Sequence, residues 1–393
     1  MVPLRLALLL PFFTLACAGT PVKDVNPGDA YAMELAEGEL GLELLQDGQP
    51  WPDFSIGWAQ RKELHQAVQY SLDYLAKPSS KTFFPYGPIT HEKMVASLGR
   101  FQDLLDTCIN PQHFLDSLKS EFQVWMARGR SNTGDVLFTG YCTPILKGNL
   151  TRTDRFQFPL YSKPSDLVKG KDGATLGRRT SSGIVPYFTR AELMENGHLT
   201  GSEIVWLDDA YDAFIAHVQG SALIELPDGK RMEIGYAGKN GHDYKSVGKY
   251  LIETGKIGKS ELSLTRLRRY FKENPAEVDR VLPINSSFVF FQKYEGGPYG
   301  CLGQPVTAVR SMATDKDVFP RAALVYAEVR LPDFDDAGNL IQRPTRFFAL
   351  DQDRGGAILS AGRCDIFLGV GPEATARAGH VLAKGRMYYL FLK

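Results

Sequence analysis

The residues best suited to chemistry lie near the end of the chain, in DRGGAILSAGRCDIFLGVGPEA (Asp353–Ala374). Two aspartates, Asp353 and Asp365, stand there among glycines and small apolar residues. Asp365 is flanked by Cys364, Ile366 and Phe367. A carboxyl held among apolar neighbours resists ionisation, so its pKa rises. A raised pKa keeps the proton on near neutrality, as a general acid requires. Gly355 and Gly356 let a ligand approach the backbone closely. Asp353 reads either as a second carboxylate or as a turn residue. On the residues alone two readings stay open: aspartates capping Gly-rich turns, or an acid/base site for glycoside cleavage.

Other chemistries find less support. The 7 histidines include no pair at ligand spacing, so no metal and no cofactor is expected. There is no nucleophile elbow, no Walker loop and no dinucleotide fingerprint. Lys+Arg and Asp+Glu both number 45 and form no basic run, which argues against a nucleic-acid partner. Cys108, Cys142, Cys301 and Cys364 match no zinc pattern. In an oxidising compartment Cys301 and Cys364 would be the first candidates for a bridge, both lying in the C-terminal part.

The elements that must position the aspartates are mainly β. Gly 38 and Pro 23 favour many turns. Residues 60–127 are the helical exception. Leu64, Val68, Leu72 and Leu75 share one helical face, as do Met94, Leu98, Phe101 and Leu105. Asn110 before Pro111 predicts a helix start through NPQHFLDSLKSEFQVW. From Gly134 on, strand-like runs alternate with turns, among them VLFTGYCTPIL, RFQFPLYS, EIVWL and AFIAHVQGSALIEL. Short helices are expected between Tyr244 and Leu282 and in GPEATARAGHVLAKG, with strands at SSFVFFQKY and RMYYLFLK.

The first residues, MVPLRLALLLPFFTLACAGT, carry Arg5 and then an apolar run from Leu6 to Ala18. That run is shorter than the roughly 20 residues a bilayer needs and fits a secretory leader. It ends in TLAC, which looks like a bacterial lipobox with Cys17 as the lipidated residue, although Thr14 stands where Leu is usual. The alternative is a simple signal peptide.

Longer motifs point to one family. DRGGAI followed by RCDIFLGVGPEA resembles the C-terminal three-aspartate domain of the membrane-bound lytic murein transglycosylase A family. The first aspartate of that pattern is Asp315, in VRSMATDKDVFP. FTGYCTPILKGNLTRTDRFQFPLYSKPSDLV (Phe138–Val168), the block from Trp206 to Gly248, and NSSFVFFQ (Asn285–Gln292) resemble the rest of the family pattern in the same order. The resemblance implies an α+β chain, mainly β with helices. Its main domain is a double-psi β-barrel with a smaller inserted β-domain, and a groove between them holds peptidoglycan glycan strands. The expected boundaries are 1–17 for the leader and lipobox and 18–50 for a tether. Residues 51–141 and 286–393 would form the main domain, and 142–285 the insert.

By the same resemblance Asp365 is the catalytic acid/base and Asp353 its partner aspartate. Asp315, Thr139, Gly140, Tyr141, Gln219, Gly220, Ser221, Gly355, Gly356 and Phe367 are candidates for substrate contact. The implied place is the cell envelope, the chain facing the periplasm and held to the outer membrane by a lipid on Cys17. Other cell-wall enzymes are candidate partners. The implied reaction cleaves the glycosidic bond between N-acetylmuramic acid and N-acetylglucosamine with formation of a 1,6-anhydro ring. A two-aspartate hydrolase and a wall-polysaccharide-binding module are the alternatives. The chain departs from the family pattern at Arg354, Cys142 and Arg321; a cation at Arg354 is expected to lower the pKa of Asp353.

Overall fold

The computed structural model describes Tyr31 and residues 35–36, 38–46, 48–170 and 173–393. Cys17, the leader and most of the expected tether lie outside the described residues. Six strands form the barrel: β1 (Val136–Thr143), β2 (Ser311–Ala313), β3 (Leu324–Phe334), β4 (Leu340–Asp353), β5 (Arg363–Val370) and β6 (Leu382–Leu392). They pair in the order β6, β3, β4, β2, β5, β1, and β1 returns to β6. Closure leaves no free edge among them. Two pairings are parallel, β4 with β2 and β5 with β1. The C-terminal half of β6 also carries Phe122–Ala127, which carries Leu42–Leu44. That short strand lies inside the stretch read as a tether, with Leu42 buried.

Helices α1 (Arg61–Leu75) and α2 (His91–Thr107) cover the barrel. Their apolar faces do what the spacing predicts: Leu64, Val68, Met94, Leu98, Phe101 and Leu105 are buried. Phe101 meets Phe348 of β4 with ring centroids 5.1 Å apart. Helix α3 (Pro111–Glu121) begins at Asn110, whose side chain accepts the His113 N–H at 2.8 Å. It stops at Glu121, and Phe122–Ala127 is a strand rather than the end of that helix, because it pairs with β6.

The inserted domain leaves the barrel at the end of β1, where Pro144 breaks the strand. Its six-stranded sheet runs Val289–Tyr294, Arg231–Lys239, Ser221–Glu225, Ile145–Asn149, Glu203–Leu207, Phe158–Tyr161. Leu146, Leu160, Val205, Ile224, Ile234 and Phe291 form its core. Two sequence expectations need correction here. The return to the barrel falls after Tyr294, not near Asn285, because Val289–Tyr294 pairs in register with Arg231–Lys239. The run AFIAHVQGSALIEL is a helix followed by a strand. Helix α4 (Ala210–Gln219) starts where Asp209 accepts the Asp212 N–H at 2.9 Å. It stops at Gly220, whose φ of 76° suits glycine. The last helix, α5 (Pro372–Ala378), is shorter than its sequence pattern suggests.

The expected bridge between Cys301 and Cys364 is not formed; both thiols are free. Cys364 is buried in β5, and the Cys301 thiol turns to the Gln352 carbonyl at 3.7 Å.

Candidate active site

The geometry of the aspartates is set by β2. Ala313 is in register with Asp353 of β4 on one side and Asp365 of β5 on the other. Asp365 is in turn in register with Thr139 of β1. Residues opposite one another across a sheet share a face. Asp353, Ala313, Asp365 and Thr139 therefore form one row. The small side chain of Ala313 separates the two carboxyls.

A bulge aims this row. Met312 pairs with Asp351 while the next residue, Ala313, pairs with Asp353, so Gln352 is the extra residue. Strand alternation alone would turn Asp351 and Asp353 to the same face. The bulge sends them to opposite faces. Gln352 is pinned in place: it accepts from the Ser311 hydroxyl at 2.6 Å and donates to Ala67 O at 2.8 Å and Ser71 Oγ at 3.0 Å.

Asp365 is half-buried as a residue, but its Oδ1 is out of water with no hydrogen-bond partner among the described residues. Burial pushes its pKa from 3.8 up to about 7. The Thr139 hydroxyl and the Arg363 charge pull it down, and the negative charge of Asp353 pushes it further up. A carboxyl titrating near neutrality can both give and take a proton.

Asp353 is different: both of its oxygens are engaged. Oδ2 accepts from the Tyr141 hydroxyl at 2.8 Å. Oδ1 accepts from the backbone N–H groups of Cys301 and Arg354, each at 2.8 Å. Burial raises its pKa, while these donors and the Lys316 charge hold it down. Gly300 makes the approach of the Cys301 loop possible. A Cβ there would lie 2.7 Å from Gln352 O and 3.3 Å from Asp353 Cγ. Sequence reasoning missed Gly300 and Cys301, since no motif marks a loop that arrives from the far end of the insert.

The expected effect of Arg354 needs correction. What it gives Asp353 is its backbone N–H. Its guanidinium sits 3.7 Å from the Asp317 carboxylate.

The other candidates divide in two. Thr139 and Tyr141 lie on the aspartate face. Gly140 points the other way, and a Cβ there would be 2.8 Å from Val381 Cγ2 and 3.1 Å from Ala378 Cα. Phe367 is buried behind Tyr141, ring centroids 5.2 Å apart, so it supports the tyrosine instead of meeting a sugar. Both carboxyl oxygens of Asp315 are taken by backbone N–H groups, Asp317 at 3.1 Å and Ser360 at 2.7 Å, so it holds the turn after β2. Gln219 accepts the Cys142 N–H at 3.0 Å, and Ser221 meets the Thr143 hydroxyl at 3.0 Å; these residues join the insert to β1. Gly355 closes a turn with Ile358, and Gly356 is exposed beside the insert.

One buried carboxylate escaped the sequence reading. Asp351 is fully buried with Lys316 as its ion-pair partner. Both of its oxygens also accept from the Thr314 hydroxyl at 2.8 Å, and Oδ2 from the Tyr389 hydroxyl at 2.8 Å. A surface depression lies elsewhere, around Asp53, Glu328, Arg330 and Arg346, and contains neither Asp353 nor Asp365.

A closed barrel with an inserted β-domain, carrying a raised carboxyl with one unbonded oxygen beside a fully bonded one, defines a class of barrel proteins with a candidate acid/base carboxyl. Comparison with known proteins narrows that class. A family model described as the MltA specific insert domain matches residues 137–292, and one described as the 3D domain matches residues 310–391. Membrane-bound lytic murein transglycosylase A of Escherichia coli is 35% identical over 269 residues, 68% of each chain. The Vibrio cholerae protein of the same name is 32% identical, covering 67% of this chain and 68% of that one. Among solved structures, a membrane-bound lytic murein transglycosylase from Agrobacterium tumefaciens superposes with a TM-score of 0.70 at 26% identity, covering 86% of this chain and 94% of that one. Escherichia coli MltA with bound chitohexaose gives 0.67 at 27% identity, covering 93% and 99%. The chain belongs to the membrane-bound lytic murein transglycosylase A family.

Proposed function

We propose that this chain is a lytic transglycosylase that cleaves the β-1,4 bond between N-acetylmuramic acid and N-acetylglucosamine in peptidoglycan. Asp365, protonated, donates to the glycosidic oxygen. As a carboxylate it then takes the proton of the C6 hydroxyl of the muramic sugar. That hydroxyl attacks C1 and closes a 1,6-anhydro ring. No water is consumed, so no second carboxylate is needed to activate one. The observation that carries this reading is the contrast in bonding: Asp365 Oδ1 is buried and unbonded, while both oxygens of Asp353 are occupied. A two-aspartate hydrolase would need Asp353 free as nucleophile or base. Asp353 and Tyr141 instead lie beside the positive charge that develops at C1, as fixed dipoles and charge.

The names of the relatives support a murein substrate, and chitohexaose in one neighbour supports a site for β-1,4-linked amino sugars. We propose that residues 1–17 are a signal peptide and lipobox and that Cys17 is lipidated and becomes the new N-terminus, which would hold the enzyme to the outer membrane facing the periplasm. Mass spectrometry of the fragments released from purified cell-wall sacculi tests the reaction. Products lighter by one water, without a reducible end, are expected. Reducible products of full weight would establish hydrolysis, and binding to sacculi without any product would establish a wall-binding module.

A further inference from the structure

The wall of the insert that faces the aspartate loop is cationic, and the proposed reaction makes no use of it. Lys163 and Lys169 lie side by side over Gly238. A Cβ on that glycine would be 3.5 Å from Lys163 Cδ and 3.4 Å from Lys169 Cε, so both stems lie in van der Waals reach of the same backbone position. The Lys169 ammonium is aimed: it donates to Ala237 O at 2.9 Å and stands 5.6 Å from the Tyr236 ring centroid. Lys239, on the strand that carries Tyr236, crosses to the barrel. Its Nζ is 3.8 Å from where a Cβ of Gly356 would sit, in the loop directly after Asp353. Arg354 completes the arc from the barrel side, its charge reaching the Tyr236 hydroxyl.

Among the described residues no carboxylate lies within ion-pair distance of Lys163, Lys169 or Lys239, and Arg354 has only the exposed Asp317 at 3.7 Å. Crowding like charges without counter-ions costs stability. Burial and the Lys163 charge together depress the Lys169 pKa. In a chain of net charge +0, four cations gathered from three segments beside the reacting residues make a local field that favours an anion.

The sugars of the glycan strand are uncharged. Its carboxylates belong to the peptide stem carried by muramic acid. We propose that Lys163, Lys169, Lys239 and Arg354 form a subsite for the carboxylates of the peptide stem next to the cleaved bond, so that this enzyme selects strands whose stem carboxylates are free over strands in which they are amidated. The proposal rests on the function proposed above.

The test uses the full chain and two substrates: soluble glycan strands whose stems carry free carboxylates, and the same strands with those carboxylates converted to amides. Lys163→Gln with Lys169→Gln, and separately Lys239→Gln, should lose about tenfold in kcat/KM on the free-carboxylate strands, the scale of one charge-assisted hydrogen bond, carried by KM. Cleavage of the amidated strands should be unchanged, which also shows that the variants fold. Lys239→Arg should retain the preference. Equal losses on both substrates, or none on the free-carboxylate strands, would overturn the subsite. A wild type that cleaves neither strand would overturn the proposed function, and the subsite with it.

Discussion

Asp351 and Asp353 are two residues apart on one strand and live in opposite conditions. Asp351 has a buried cation, Lys316, and two hydroxyl donors. Asp353 has dipoles around it and, across Ala313, a second carboxyl with no partner for one of its oxygens. The same side chain type thus carries a paired structural charge on one face of the sheet and, on the other, a fully bonded carboxyl next to a raised one. The Gln352 bulge is what separates the two roles. A buried charge is tolerable when paired, and a buried carboxyl left unpaired holds its proton instead. The barrel applies both rules within one strand turn.

The sharpest way to break this contrast is at Asp365. Asp365→Asn removes the carboxyl proposed to give and take the proton, so activity should fall by about 10²–10⁴-fold. The fold should not suffer. The folded pKa of Asp365 is raised from 3.8 to about 7, so the protonated form is favoured in the native state and stability is lost as pH rises through that window. Asparagine cannot ionise. Thermal melts at pH 8 should therefore show the variant at least as stable as the wild type. Near-normal turnover would remove the catalytic assignment, and a lower melting temperature at that pH would remove the account of burial.

Lys316→Met tests the other face. It leaves the buried Asp351 carboxyl without its cation, at a cost of about 3–5 kcal/mol. Combining it with Asp351→Leu removes the orphaned carboxyl and should cost less than Lys316→Met alone. Urea unfolding measures both. A single variant that unfolds like wild type would mean that the Thr314 and Tyr389 hydroxyls suffice for Asp351.

Much of this was legible before the structure. The apolar neighbours of Asp365 pointed to a raised pKa, and the helical faces of α1 and α2 are where their spacing put them. The family resemblance supplied the barrel, since no local periodicity reports closure between β1 and β6, which are far apart in sequence. Three things were hidden. A bulge has no reliable sequence mark, so Asp351 could not be told from Asp353. The loop bearing Gly300 and Cys301 meets Asp353 through backbone N–H groups, which any residue could supply. Asp315 and Phe367 sit in recognisable motifs, yet their side chains are spent on a turn and a tyrosine, and Gly140 leaves room for a helix end.

Asp353→Asn tests how far the pair is coupled. The Asp353 charge is one of the influences raising the Asp365 pKa. Removing it should lower that pKa, so the alkaline limb of the kcat/KM profile, where Asp365 loses its proton, should move to lower pH. Activity at the optimum should fall less than in Asp365→Asn. An unmoved limb would show that burial alone sets the acid.

The smallest effect on the acid and on stability belongs to Arg354, although the sequence singles it out. Its bond to Asp353 runs through the backbone N–H and survives any substitution except proline. Its guanidinium is exposed beside an exposed carboxylate, a pair worth about 0–1 kcal/mol. Arg354→Gln should leave the alkaline limb in place and change stability by only a few tenths of a kcal/mol. A limb that moves up in pH, read from the same profiles as for Asp353→Asn, would mean that the Arg354 charge reaches Asp365 after all. The dipoles around Asp353 would then not be enough to hold the pair.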